Sequence, residues 1–469
     1  MGLARELAQR ITDMNFDSLS EDAVYWGKIA LLDTLGVMLA GAQEDAPRIL
    51  DEVVGSPAGG PSLLFGTDRR VAPLDAALVN GTAAHALDFD NTASNIGGHV
   101  SAVMVPALIA AAEAHASTGK ELLLAHAVGF ETARIGLAVN PRHSEKGWHP
   151  TSTLGVFAVT AACARLLGLS LEQTETALAL STSLAAGIKA NFGTMTKPLH
   201  AGQCARGGLM SALLARRGFT ANRDAFEHKQ GFFRLFGDPA RDEPARVLEG
   251  WGEPLDIVSP GASYKLYPCC YSTHSAINGA LDLVRQHGLF HPESIAHIET
   301  HTSERALLHT DRAFPKSSLE AKFSVQYCVT RALLHGKVVL EHFEGEAYKD
   351  PVVHSLLTRF ESTPYTGPFF SEGDRLDAVV RVTLNDGRVL ETKVDQPLGR
   401  TVTVPIPKEA LNAKFLDCAT RIIEDTRAEA VCSQIWSLED LSSVRDLTAM
   451  LEVSRRCGSG RHEQNAYPA

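Results

Sequence analysis

Lysine, histidine and cysteine gather in three short stretches of this chain, each set among Gly and Pro. They are Gly147-Trp-His-Pro150, Gly193-Thr-Met-Thr-Lys-Pro-Leu-His-Ala-Gly202 and Lys265-Leu-Tyr-Pro-Cys-Cys-Tyr-Ser-Thr-His274. Imidazole, ammonium and thiol are groups that move protons and hold anions. Gly and Pro fix backbone shape and let a ligand come close. A fourth stretch, Asp88-Phe-Asp-Asn-Thr92 followed by His99, adds carboxylates. No phosphate loop, zinc-ligand spacing or hydrolase elbow is present. The set points to cofactor-free proton chemistry on a small acidic molecule, with no metal.

Each stretch also has a plainer reading. Asp88 and Thr92 share a face if helical, where they would bind a carboxylate or hydroxyl and orient His99; alternatively Asp90, Asn91 and Thr92 only end a helix. His149 stands before a helix start at Thr151-Ser152, where free backbone N–H groups attract anions, or it is packed in a turn. Lys197 carries the strongest signal. Pro198 argues against a helix running through it, so it is predicted on a loop before a helix from Ala201. There it would clamp a carboxylate or act as a desolvated base. His200 is equally a structural partner, and Lys265 is an anion ligand. Cys270 and His274 lie four apart if a helix starts at Pro268, presenting thiol and imidazole to one site, although buried cysteine is ordinarily packing.

The elements that must hold these residues change character along the chain. Up to about residue 258 the periodicity is helical, with predicted helices over 23–39, 71–87, 102–117, 119–139, 151–167, 171–188 and 201–217. From about 260 strands appear: Ile295–Thr302 alternates, and Asn385-Asp-Gly387 between two alternating runs predicts a hairpin on a type I′ turn. Helices are predicted between them over 275–287, 324–334 and 350–359, and again over 408–424 and 440–451. The expected organisation is mainly α: a large all-helical domain over 1–262, a smaller α+β lid domain over 263–402, and C-terminal helices over 403–469 that rejoin the first domain. The tail Gly458-Ser-Gly-Arg-His-Glu-Gln is expected to fray.

At 469 residues, 45% hydrophobic and 21% charged, the chain has ample core material. A net charge of −11 speaks against nucleic acid as a partner, yet local cations in a pocket still suit an anionic substrate. The first residues carry acids and no apolar segment, unlike a secretory signal. Apolar runs such as Val103–Ala112 are too short for a bilayer, so no membrane partner is expected. Eight scattered cysteines without a C-x-x-C pair fit a reduced, cytoplasmic protein. The Asn80-Gly-Thr82 sequon and His297 and His301 carry no functional weight.

Taken together, Leu31-Leu-Asp-Thr-Leu-Gly36, Ala84-His-Ala-Leu-Asp-Phe-Asp90, Gly193–Gly202, Lys265–His274 and Ala321-Lys-Phe-Ser-Val-Gln-Tyr327 resemble the MmgE/PrpD family over nearly the whole chain. That family includes 2-methylcitrate dehydratases, cis-aconitate decarboxylases and iminodisuccinate epimerase. The resemblance implies a homodimer without metal or organic cofactor, a di- or tricarboxylate substrate, and a pocket between helical domain and lid. It places Asp88, Thr92, His99, His149 and Lys197 in that pocket, with Tyr327 as a lid-side donor. The chain departs from the animal decarboxylases at Cys270, where they have histidine. A dehydratase-type lyase is the first expectation, with His99 and His149 as base and acid. An epimerase using Cys270 as second-face acid, and a decarboxylase, are alternatives. A scaffold that binds carboxylates without chemistry is the non-enzymatic one.

Overall fold

A computed structural model describes residues 2–238, 240–365, 377–399 and 404–453. The predicted tail at 458 and Cys457 lie outside the described residues, as does the lid boundary at 402/403. The architecture is mainly α with small sheets. One large hydrophobic cluster joins residues from Leu3 to Tyr264 and again from Ile406 to Leu451. A second, smaller one runs from Tyr267 to Leu384. The helices Lys408–Ala419, Asp425–Trp436 and Val444–Ala449 thus pack with the N-terminal helices; the middle one escaped the sequence reading.

Two helices of the large part approach unusually closely, Pro73–Ala86 and Thr196–Arg216. A Cβ on Gly81 would come within 2.9 Å of the Gly202 Cα, and one on Gly202 within 2.2 Å of the Leu78 carbonyl oxygen. Only glycine permits such backbone-to-backbone contact. The contact sets the end of the first helix, and so Asp88, beside the start of the second, and so Lys197. Asn80, beside Gly81, is buried and spends its amide on Leu63 and Phe65, so the sequon is structural.

The smaller part carries a four-stranded sheet. Its order is Phe360–Pro364, Ile295–Thr302, Ala378–Leu384, Val389–Val394; the first pair is parallel and the rest antiparallel. The hairpin after Leu384 differs from the expected type I′ turn. The Gly387 N–H donates to the Leu384 carbonyl at 2.9 Å, and only Gly387 within the turn has positive φ, +88°. This is a three-residue loop with glycine in the left-handed position, so Asp386 avoids the strain that type I′ would impose.

Other boundaries moved as well. The helix predicted over 171–188 stops at Ser181, leaving Thr182–Phe192 as an irregular loop on the site. Two stretches, Glu21–Gly41 and Gly119–Val139, are long and apolar enough to cross a bilayer, contrary to the expectation that all apolar runs are too short; 89% of the apolar window of each is buried inside the protein, where it serves the core.

Two buried groups give stability predictions. Lys414 reaches Asp33 at 2.5 Å, the Phe89 carbonyl at 2.8 Å and the Lys265 carbonyl at 2.7 Å. Lys414→Met leaves Asp33 buried and unpaired, and should lower unfolding free energy by about 3–5 kcal/mol in urea titrations. His126 is buried, with no partner for either ring nitrogen among the described residues, and burial lowers its pKa from 6.5 to about 4. The unfolded chain then binds a proton that the folded chain refuses. Stability is complete above pH 6.5 and falls by roughly 3 kcal/mol toward pH 4. His126→Phe should flatten that part of the pH–stability curve.

Candidate active site

Pro73–Ala86 ends just before Asp88, whose φ of +52° is left-handed. Aspartate tolerates this better than most side chains, and here it is over-determined. Lys197 Nζ donates to Asp88 Oδ1 at 2.8 Å and Lys265 Nζ lies 3.2 Å from Oδ2. Lys265 also donates to the Asp88 carbonyl. Burial would raise the Asp88 pKa, but Lys265, Lys197 and His99 outweigh it and hold the carboxyl well below its usual range. Lys265 is delivered by the short pairing of Thr92–Ala93 with Ala262–Ser263, in which Thr92 faces Ser263. Asp88 and Thr92 therefore do not share a helical face: the helix has ended and Thr92 is extended.

Asp90 is the residue that the sequence reading undervalued. It caps nothing. Fully buried, it receives His85 Nδ1 at 3.0 Å on one oxygen and His99 Nδ1 at 2.8 Å on the other. Burial would raise its pKa; the two imidazoles lower it well below the usual value. A carboxylate on Nδ1 fixes the tautomer and leaves Nε2 of His99 basic, and that atom lies 3.8 Å from Asp88 Oδ1. His85 itself, pulled down to about 4 by burial against the opposing pull of Asp90, stays neutral.

His149 precedes the single turn Pro150–Thr153. Its Nδ1 is 3.2 Å from Nδ1 of His200, and its ring stands edge-on to Phe192. Burial first, then His85 and Lys197, push its pKa down to about 2. It is thus a neutral hydrogen-bonding group rather than a titrating acid. Lys197 departs from expectation too. It sits in the first turn of Thr196–Arg216, with Pro198 next to it, because first-turn N–H groups lack helical partners and proline loses nothing there. The bend before His99 needs Gly98, where a Cβ would meet the Thr151 backbone nitrogen at 2.8 Å.

These side chains open on a cavity of about 730 Å³ walled by Thr92, His99, His149 and Lys197 from the helical part, and by Tyr271, Ser303, Arg305 and His309 from the lid side. Lys189 and Ser144 also line it, and among the described residues its wall holds no Asp or Glu.

Residues 5–244 match the MmgE/PrpD N-terminal domain and residues 267–438 the MmgE/PrpD C-terminal domain. The chain belongs to the MmgE/PrpD family. Among MmgE/PrpD-type relatives it is 30% identical to the cis-aconitate decarboxylase of Mus musculus, over 96% of this chain and 93% of that one. It is 29% identical to the Homo sapiens decarboxylase, over 96% and 94%. A mitochondrial 2-methylcitrate dehydratase of Yarrowia lipolytica is 24% identical, over 85% and 80%.

Several residues expected in the MmgE/PrpD pocket stand elsewhere. Tyr327 is buried in the lid core; its hydroxyl donates to the His342 carbonyl at 2.5 Å and accepts from Arg331 at 3.0 Å. The tyrosine on the cavity wall is Tyr271. Cys270 precedes a short 3-10 turn rather than opening a helix, so it is not stacked with His274. It is half-buried, its N–H donates to the Lys322 carbonyl, and it is absent from the cavity wall. His274 is buried against Tyr267 and Tyr271, and its thiol neighbour is Cys269. His200 is absent from the cavity wall and touches His149, Nδ1 to Nδ1 at 3.2 Å. Lys322, whose ammonium burial pulls down, is a further cation near Asp88. His85, Asp88, Asp90 and His99 place ligand atoms within 4.8 Å of one another, but two ammonium groups already neutralise Asp88, so a dication there would face Lys197 and Lys265.

Proposed function

We propose that this chain is a lyase acting on a tricarboxylate of the cis-aconitate or 2-methylcitrate type, by proton transfer at the carbon beside a carboxylate. The observation that carries this reading is the pairing of a carboxylate-backed imidazole, His99 on Asp90, with a cavity walled by Lys189, Lys197 and Arg305 and by no described carboxylate. Cations hold the substrate's carboxylates. Nε2 of His99 takes the proton. The charge that develops on the adjacent carboxylate is stabilised by Lys197 and by the neutral His149.

Dehydration is the first reaction on this reading. His149 stays neutral, so His99 serves both steps: it removes the carbon-bound proton and returns it to the departing hydroxyl on the same face. Decarboxylation is the second, favoured by the higher identity to the cis-aconitate decarboxylases. There CO₂ leaves and protonated His99 supplies carbon with a proton. The epimerase alternative loses its second-face acid, because Cys270 is off the cavity wall.

Proton NMR in D₂O with 2-methylcitrate, citrate and cis-aconitate tests the reading. Loss of water turns the methyl doublet of 2-methylcitrate into an allylic methyl singlet and gives a vinyl signal from citrate; loss of CO₂ gives new vinyl signals from cis-aconitate, with deuterium in the product. No turnover of any of the three sinks the proposal.

A further inference from the structure

We propose that Lys189, with Ser144, is a second anion pole that receives the distal carboxylate of a tricarboxylate and sets the preference for three carboxylates over two. This rests on the reading just given, and it concerns a residue that no motif singled out. Lys189 opens the short turn Lys189–Asn191. That turn is clipped twice to the segment bearing His149: the Lys189 N–H donates to the Gly147 carbonyl at 2.7 Å, and the His149 N–H to the Gly187 carbonyl at 3.1 Å. Trp148 and Ile188 form the bridge between these clips. The backbone that places His149 therefore places Lys189.

Its Nζ donates to the carbonyl and hydroxyl oxygens of Ser144, at 3.2 and 3.3 Å, and both residues line the cavity. These partners are neutral. Among the described residues no Asp or Glu pairs with Lys189, whereas Lys197 on the same wall is paired with Asp88. An ammonium with two neutral acceptors keeps its full charge and a third donor. The cavity thus has two differently prepared poles. Lys197 and His149 stand at the reacting carbon, with the Lys197 charge partly spent on Asp88. Among the described residues Lys189 makes no contact with Asp88, Asp90 or His99 and pairs with no carboxylate, suited to an arm that dehydration leaves intact. A charge-assisted hydrogen bond of this kind carries roughly a tenfold effect on affinity or more.

The test is calorimetric binding of cis-aconitate and of methylmaleate, the same skeleton with hydrogen in place of the third carboxylate. The wild-type protein should bind cis-aconitate at least about tenfold more tightly. Lys189→Met should bring the two within about twofold by weakening cis-aconitate alone, and Lys189→Arg should restore the preference. Lys197→Met should weaken both ligands. A Lys189→Met protein that keeps the wild-type ratio while Lys197→Met loses both ligands overturns the second pole and leaves the site standing. A wild-type protein that binds neither ligand overturns both readings.

Discussion

Lys197→Met should lower kcat/KM by about 10³-fold, through kcat more than KM, without a matching loss of thermal stability. On the proposed reaction the ammonium faces the developing negative charge, and removing one such donor costs about 10²–10³ in rate. A second effect adds to this. Lys197 holds Asp88 Oδ1 at 2.8 Å; without it, Asp88 keeps Lys265 but turns a freed carboxylate oxygen toward His99 and the incoming substrate carboxylate. Repulsion between like charges then weakens binding as well. The methionine stem preserves packing over Phe192, on which the lysine now lies at 5.4 Å. Steady-state kinetics beside a melting curve decide the matter: near-normal kcat/KM in a folded variant would remove Lys197 from the chemistry.

Asp90→Asn should reduce kcat by about 10²–10⁴-fold and leave KM nearly unchanged. Asp90 does not line the cavity; it acts through two imidazoles that both donate to it. An amide offers one acceptor oxygen and one donor nitrogen, so its NH₂ must face at least one of the two imidazole N–H groups. The ring facing the NH₂ group must present an Nδ1 lone pair and move its proton to Nε2. If that ring is His99, the base is lost; if it is His85, a polar mismatch is created in a fully buried place. A kcat effect without a KM effect, accompanied by an altered pH profile, marks positioning of His99. Equal losses in stability and in both kinetic constants would mean that Asp90 is only a structural buttress.

Much of this site was legible before the fold was known, and the limits were physical. Asp88, His99, His149 and Lys197 could be picked out because reactive side chains among Gly and Pro contrast with an Ala/Leu background. The helix-to-sheet change near residue 260 was legible because the period of the apolar pattern changes there. Asp90 was visible but undervalued, since an Asp-Asn-Thr run reads equally as a helix end, and its partners His85 and His99 meet only through a turn with Asp88 in a left-handed conformation. Lys189 gave no signal, because a lysine after a helix is ordinarily solvated; its place depends on bridges to Gly147. Tyr327 shows the opposite error. A residue matched by motif turned its hydroxyl inward to His342, because helix Val325–His335 buries that face in the lid core.

The lysine at 414 has a consequence for the order in which this protein can become competent during synthesis. Its ammonium joins Asp33, the carbonyl of Phe89 and the carbonyl of Lys265, so it ties together backbone from either flank of the Asp88 charge cluster. Translation must therefore pass residue 414 before this ammonium can tie Asp33 to the Phe89 and Lys265 carbonyls. Until then the nascent chain carries Asp88, His99, His149 and Lys197 without this tie between Asp33, Phe89 and Lys265. A chain halted before residue 414 would accumulate as a helical body with an unassembled centre, a natural target for chaperone retention rather than a partial enzyme.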